Sequence, residues 1–437
     1  MNPNTRLHTL WSPSGTYVNV GEMSMKLINI LCCAPHRKLI TESRNMKLIT
    51  ALSKTIQKRY MCKEASIENI VQMRSNNLRK DLEAYCESPL KHFDDKQWAT
   101  TAYPVGNPLK SKTNSENEAD DDRYKSVIMF PGQGNQFVGM GKDLFTHSVV
   151  EDMFDSASSI LGYNLKKLCL EGPKSKLDKT EYCQPATLVC SLAAVEELKC
   201  KYPLALSNCV CVCGFSVGEI AALVFAGCIS FEFAVHLTRV RAMAMQACSE
   251  AVPSGMMSVL YGADSDLKGA LEAARHKCEE SGIENPVCVV ANYLIPECKV
   301  IAGHDVGLDY IKNNAAKYKI RKVSRLPVSG AFHTILMKDA AQTFETSLKK
   351  GEIKNPIVPV ISNVTAEPYN GTRDILKTLP KQIYKPVKWE QSMIKVYQRP
   401  SGTPFPHTYE CGPGKTLTVL LKRINAAASR NCHNIFA

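Results

Sequence analysis

Residues 212–221 read V-C-G-F-S-V-G-E-I-A. The apolar run N-C-V-C-V-C (208–213) leads into this stretch, and G-E-I-A-A-L-V-F-A-G (218–227) leads out of it. The first run has the length and apolar content of a buried strand; the second is rich in helix formers and stops at Gly227. A chain that leaves a strand and enters a helix within a few residues carries that helix back over its own sheet. This is the geometry of parallel strands joined by helical crossovers. Gly214 and Gly218 flank the corner, where small residues permit a sharp turn.

The same alternation runs along most of the chain. K-S-V-I-M-F (125–130) predicts a short buried strand, P-G-Q-G-N-Q a Gly-rich turn, and the periodicity near 188–200 a helix. Between 254 and 328 the order changes. Strands are predicted at 256–261, 287–293, 299–303 and 320–328, with helices at 266–280 and 307–318. The sequence β-α-β-β-α-β is the split, ferredoxin-like unit. The expected fold class is therefore α/β: a mainly parallel, hydrolase-like sheet with helices on both faces, formed by residues 124–253 and 329–437. A ferredoxin-like small domain, 254–328, is inserted into it, with a cleft between the two where substrates would bind.

Charge is uneven along the chain. The net charge is +12, but residues 1–63 hold ten Lys/Arg against Glu22 and Glu42, so this head carries +8 and the remainder +4. A basic, acid-poor, Ser/Thr-rich head predicts a transit peptide and delivery to the mitochondrial matrix. Residues 64–95 contain a helical pattern, and 104–123 are polar with few large apolar groups, so 64–123 read as a helical and disordered linker. The mild charge of the rest gives no support to nucleic-acid binding. No run of 18 apolar residues predicts a membrane span. The 18 cysteines lack metal-ligand or disulfide spacing; Cys209, Cys211 and Cys213 alternate along one strand face and read as reduced, buried thiols. No metal site is predicted.

G-F-S-V-G between a strand and a helix is the pattern of a nucleophile elbow, with the helix N-terminus favouring negative charge beside Ser216. The same five residues also suit a plain Gly-Ser turn. A serine hydroxyl needs a base, and His333 in V-S-G-A-F-H-T-I-L-M (328–337) stands where the chain re-enters the cleft. The turn P-G-Q-G-N-Q-F-V-G-M-G-K (131–142) is no phosphate loop: Gln136 stands at the first glycine position and Asp143 follows Lys142. It remains a tight turn whose N–H groups suit an oxyanion.

F-P-G-Q-G-N-Q, C-Q-P-A (183–186), G-F-S-V-G-E, V-R-A-M-A-M-Q (240–246), P-V-S-G-A-F-H-T, I-S-N-V (361–364), Q-I-Y-K-P-V-K-W (382–389) and E-C-G-P-G-K-T-L (410–417) occur in this order over about residues 125–425. Together they resemble the malonyl-CoA:acyl carrier protein transacylases, the animal mitochondrial form above all. The family's usual G-H-S-L-G is G-F-S-V-G here, with Phe215 in place of a histidine, and Asn135 replaces a common serine. The resemblance implies an enzyme that moves a malonyl group from malonyl-CoA to the phosphopantetheine thiol of acyl carrier protein through a malonyl-serine. Malonyl-CoA and acyl carrier protein would be its partners, and no cofactor is implied beyond the thioester substrate. Ser216 would be the nucleophile and His333 its base. The main-chain carbonyl of Gln382 would orient the histidine, and the N–H groups of Gln133 and Val217 would form the oxyanion hole. Arg241 would hold the malonyl carboxylate, and Asn292 would lie near the acyl site. An uncharged acyl group would leave the Arg241 charge buried and unpaired, at about 3–5 kcal/mol. Because carrier proteins are acidic, Arg321, Lys322, Arg325, Lys415, Lys422 and Arg423 are candidates for a docking surface, although each also reads as an ordinary solvated base.

Two rival readings make other predictions. A serine hydrolase would share the elbow and need a late histidine; His407 is late, but G-T-P-F-P-H looks like a surface loop. A carrier-binding scaffold without turnover would not need Ser216, His333 and Arg241 together.

Overall fold

The computed structural model describes residues 124–437; the basic head and the 64–123 linker lie outside the described residues. Five strands form one sheet: β1 (Ser126–Phe130), β2 (Cys209–Gly214), β7 (Val360–Ile361), β8 (His407–Gly412) and β9 (Cys432–Phe436). Their order is β7-β2-β1-β8-β9, and each neighbouring pair is parallel. Side chains alternate between the faces of a strand. Ile128, Phe130 and Val212 enter the large core on one face; Val127, Met129, Cys211 and Cys213 enter a second core on the other, with Trp389, Met393, Leu417 and Leu421. Both faces are thus buried, as an all-parallel sheet requires.

Helices α1 (Thr180–Lys201), α2 (Val217–Phe225) and α3 (Phe231–Ala251) contribute to the large core, while α6 (Trp389–Val396) and α7 (Thr416–Ile424) contribute to the second. Helix α1 is buried almost all round and starts well before the predicted 188–200, taking in Pro185. A proline inside a helix removes one backbone bond; here burial on every side of the helix outweighs that loss, and it carries Gln184 into the interior.

The inserted segment forms an antiparallel sheet of β3 (Ser254–Leu260), β4 (Cys288–Ile295), β5 (Cys298–His304) and β6 (Lys322–Arg325), ordered β4-β5-β3-β6. This is the strand order of a ferredoxin-like unit. Helices α4 (Leu267–Glu280) and α5 (Asp305–Asn314) cover one face through Met257, Val259, Ala270, Ala274, Ile301 and Leu308. From the other face Met256, Val300 and Ala302 join the large core. Strand β6 is shorter than the predicted 320–328: after Leu326 bonds to Met256, Pro327 has no N–H to continue the ladder. Two contacts tie this sheet to α6 and the segment before it. Tyr293 donates its main-chain N–H to Val387 O at 2.9 Å, and the largely buried Lys299 meets Glu390 at 2.5 Å.

The turns after β1, β2 and β8 all leave from the carboxyl edge of the parallel sheet, with β1 at its centre. Ligands bind at this edge in open α/β sheets. The two glycines at the corner act mainly through close approach. A Cβ on Gly214 would lie 2.0 Å from Gly218 main-chain atoms, and one on Gly218 would lie 2.3 Å from Phe130 O. Their lack of a side chain seats α2 directly against the ends of β1 and β2. Gly218→Ala forces backbone against backbone and is expected to cost about 3 kcal/mol in unfolding free energy, read from a denaturant midpoint. A variant as stable as the parent would contradict this packing.

Candidate active site

Ser216 is the N-cap of α2, with φ 55° and ψ −113°. A non-glycine residue there stores about 1–3 kcal/mol and needs its surroundings to hold it. They do so from both sides. Its N–H donates to Asn363 Oδ1 at 2.8 Å, and its carbonyl accepts from Gln382 Nε2 at 2.7 Å and from Glu219 N at 3.0 Å. Asn363 also donates its Nδ2 to Gly214 O at 2.6 Å. The corner is therefore pinned before and after the serine.

The Ser216 hydroxyl lies 3.0 Å from His333 Nε2 and accepts from Arg241 Nη2 at 3.1 Å. His333, itself at φ 60°, holds its Nδ1 at 2.6 Å from the Gln382 carbonyl. A carbonyl only accepts, so Nδ1 carries the proton and Nε2 presents its lone pair to the serine. Burial, and then the Arg241 charge, pull the imidazole down to about 3, partly opposed by the Gln382 bond. His333 is thus a neutral acceptor facing a hydroxyl.

Arg241 extends from α3 and is 1% exposed. It donates to Gln184 Oε1 at 2.5 Å and to Gln382 Oε1 at 2.7 Å. Among the described residues no carboxylate pairs with it directly. Burial lowers its pKa to about 10 and the Glu219 charge opposes that, so it stays cationic at neutral pH. A buried cation held by neutral amide oxygens is well suited to receive an anion.

The turn after β1 lies against the elbow. Phe215 N donates to Phe130 O at 2.9 Å, and a Cβ on Gly132 would be 2.6 Å from Phe215 O. Gln133 follows in this turn, its side chain donating to Thr180 at 3.2 Å. Val217 opens α2, where N–H groups lack intrahelical partners. Phe215 packs edge-on against Trp389, with ring centroids 5.5 Å apart. Asn292 is buried in β4 at the bridge to Val387 and makes no hydrogen bond to Ser216, His333 or Arg241 among the described residues. Of the candidate docking residues, Arg325 is engaged by Asp305 and Asp309, each at 2.8 Å, and Arg423 lies 3.6 Å from Glu297. Arg321, Lys322, Lys415 and Lys422 are exposed.

His407 is not in a loop. It begins β8, paired with Ser126 at the start of β1, and lies 3.2 Å from His433. That is the amino edge of the parallel sheet, opposite the elbow, so the hydrolase reading loses its histidine. The structure adds to the cluster four residues without a role in the sequence analysis: Gln184, Glu219, Asn363 and Tyr369. The first three stand inside quoted motifs, C-Q-P-A, G-F-S-V-G-E and I-S-N-V; nothing in the sequence marks Tyr369.

Residues 127–397 match the family model described as an acyl transferase domain. The human mitochondrial malonyl-CoA–acyl carrier protein transacylase is 49% identical over 334 residues, 75% of this chain and 86% of the relative. The chain belongs to this acyl transferase family. Its fold agrees with solved members. The malonyl-CoA:acyl carrier protein transacylase of Xanthomonas oryzae aligns with TM-score 0.64 and 31% identity, over 72% of this chain and 95% of that one. A malonyl-transacylase solved in complex with its type II polyketide acyl-carrier protein aligns with TM-score 0.61 and 32% identity, over 71% and 94%. These acyl transferases share the mixed α/β architecture with its separate antiparallel sheet.

Removing the Asn363 side chain leaves the buried Ser216 N–H and Gly214 carbonyl without their partners. Asn363→Ala is expected to cost about 2 kcal/mol in denaturant unfolding. A cost near zero would mean that the corner holds itself.

Proposed function

We propose that the chain transfers a malonyl group from malonyl-CoA to the phosphopantetheine thiol of acyl carrier protein, and that Ser216 carries it between them. The observation that supports this most is the position of one hydroxyl, 3.0 Å from a neutral imidazole nitrogen and 3.1 Å from a buried guanidinium.

In the first half-reaction His333 Nε2 takes the Ser216 proton as Oγ bonds to the thioester carbon. The tetrahedral oxyanion rests on the N–H groups of Gln133 and Val217, each worth about 3–4 kcal/mol in the transition state. The carbon–sulfur bond then breaks, and the imidazolium returns its proton to the departing thiolate of coenzyme A. In the second half the carrier protein's thiol attacks the malonyl-serine ester, His333 accepts its proton, and Ser216 leaves as the hydroxyl. The Gln382 carbonyl holds the ring through both halves.

Arg241 selects the acyl group. A malonyl carboxylate can pair with its guanidinium. The same pairing removes one of the two causes that depress His333, so the base strengthens as the correct substrate arrives. With an uncharged acyl group the guanidinium keeps Gln184 and Gln382 as partners. The discrimination expected is therefore that of a charge-assisted bond, about 1.5–3 kcal/mol, less than a bare buried charge would give. We keep Asn292, buried in β4 beside Val387, as a candidate neighbour of the acyl site. Relatives named as mitochondrial support a mitochondrial site of action. We assign the basic head to import and the matrix as the destination.

Mass spectrometry of the intact protein after mixing with malonyl-CoA tests this reading. The wild type should gain a malonyl adduct that a holo carrier protein removes; Ser216→Ala should gain none. Arg241→Ala should lose roughly 10- to 100-fold in malonyl loading while acetyl loading changes little. An adduct on Ser216→Ala, or an unchanged malonyl preference in Arg241→Ala, would refute the assignment.

A further inference from the structure

We propose that Glu219 is a positioning residue of this acyl-transfer site: its buried carboxylate fixes the Gln382 amide, and through it the imidazole, the guanidinium and the backbone of Ser216. The inference rests on the reading of the site given above.

Glu219 lies in the first turn of α2 and is fully buried. A carboxylate there could simply serve the helix N-terminus. Its donors, however, come from other elements. Oε1 accepts from the Tyr369 hydroxyl at 2.6 Å and from Asn363 N at 3.1 Å; Oε2 accepts from Gln382 Nε2 at 2.7 Å. All three partners donate, which is the environment of an ionised acid.

Gln382 is the hub. Its main-chain carbonyl accepts from His333, its Oε1 accepts from Arg241, and its Nε2 donates to both Ser216 O and Glu219. The two ends of an amide have nearly the same shape and opposite hydrogen-bonding sense. A carboxylate only accepts, so Glu219 selects the Nε2 end. A flipped amide would set oxygen against oxygen at Glu219 and Ser216, and N–H against N–H at Arg241. Asn363 extends the hold, because the residue whose N–H bonds Glu219 gives its side-chain oxygen to Ser216 N. The peptide groups on both sides of Ser216 are thus tied to Glu219 through one intermediary each.

The carboxylate is also the negative charge that acts on Arg241 from behind that amide. The titratable and charged groups facing it are Arg241 from α3, Tyr369 from the turn after β7, and Cys213 from β2. Burial pushes the Glu219 carboxyl up to about 7, opposed by the bonds from Tyr369, Gln382 and Asn363 and by Arg241. Protonation would put a donor where every partner already donates, and the hold on Gln382 would loosen. The site is therefore ordered above that pH and loosens below it, in a range well above the titration of His333.

The test is the single-turnover rate of malonyl-serine formation from malonyl-CoA, followed from about pH 5.5 to about 8.5, with melting temperatures recorded alongside. The wild type should slow as pH falls through about 7. Glu219→Gln should be roughly 10- to 100-fold slower at the alkaline end, with that acid limb gone and a reduced preference for malonyl over acetyl. Tyr369→Phe, which removes one donor to the carboxylate, should shift the acid limb to higher pH. Should Glu219→Gln fail to fold, the Tyr369→Phe shift decides alone. A Glu219→Gln enzyme with the wild-type rate overturns the proposal. So does one slowed equally at every pH with its acid limb and selectivity intact, since that is a purely structural loss, and so does an unshifted Tyr369→Phe profile. A wild type that forms no malonyl-serine overturns this proposal and the assignment of Ser216 together; wild-type acylation beside an unaffected Glu219→Gln overturns this proposal alone.

Discussion

The Ser216 hydroxyl sits between a lone pair and a cation, and the remainder of the site is arranged around that fact. A guanidinium buried without an anion is costly. The fold lowers the cost with two glutamine oxygens from distant elements, Gln184 on α1 and Gln382 in the 3₁₀ turn after residue 378. Neutral oxygens satisfy the geometry of the cation without cancelling its charge. The field that remains acts in two directions. It attracts a carboxylate, and it adds to burial, the larger cause, in keeping the neighbouring imidazole neutral.

The strained serine is possible because its corner is overdetermined. Close approach at Gly214 and Gly218 presses α2 onto the strand ends, so the carbonyl of Phe130 is within reach of the elbow. Two amide side chains then fix the peptide groups on either side. The same residues that impose the strain also place the reacting groups, so the shape of the corner and the chemistry at its tip cannot be separated. The inserted antiparallel sheet completes the arrangement: its last strand leads through Pro327 toward His333, whose imidazole meets Ser216 at the carboxyl edge.

Local pattern in the sequence reveals much of this. The strand-to-helix corner, the alternation of β1 and β2 between two cores, and the β-α-β-β-α-β order are each written in a short run of residues. Local context makes His333 the candidate base for Ser216, and motif resemblance adds that a carbonyl rather than an acid orients the ring. What stayed hidden depends on contacts across long stretches of chain. Glu219 meets Gln382 across 163 residues and Tyr369 across 150, and Asn363 reaches Ser216 across 147. No periodicity reports such pairs. Pro185 hides the first turns of α1 because burial outweighs a local penalty, and His407 looks like a loop residue because prolines precede a strand whose first residue it is. The amide partners of Arg241, which lower the selectivity expected of it, are likewise invisible until the chain is folded.

His333 rests neutral, with its proton on Nδ1 and a lone pair on Nε2 turned to Ser216. Nitrogen-15 NMR of the histidine-labelled protein, recorded without substrate across neutral pH, tests it directly. The His333 imidazole should keep the Nδ1–H form throughout and should not titrate in the ordinary histidine range of about 6–7. A His333 that becomes an imidazolium in that range, or that carries its proton on Nε2, would contradict it.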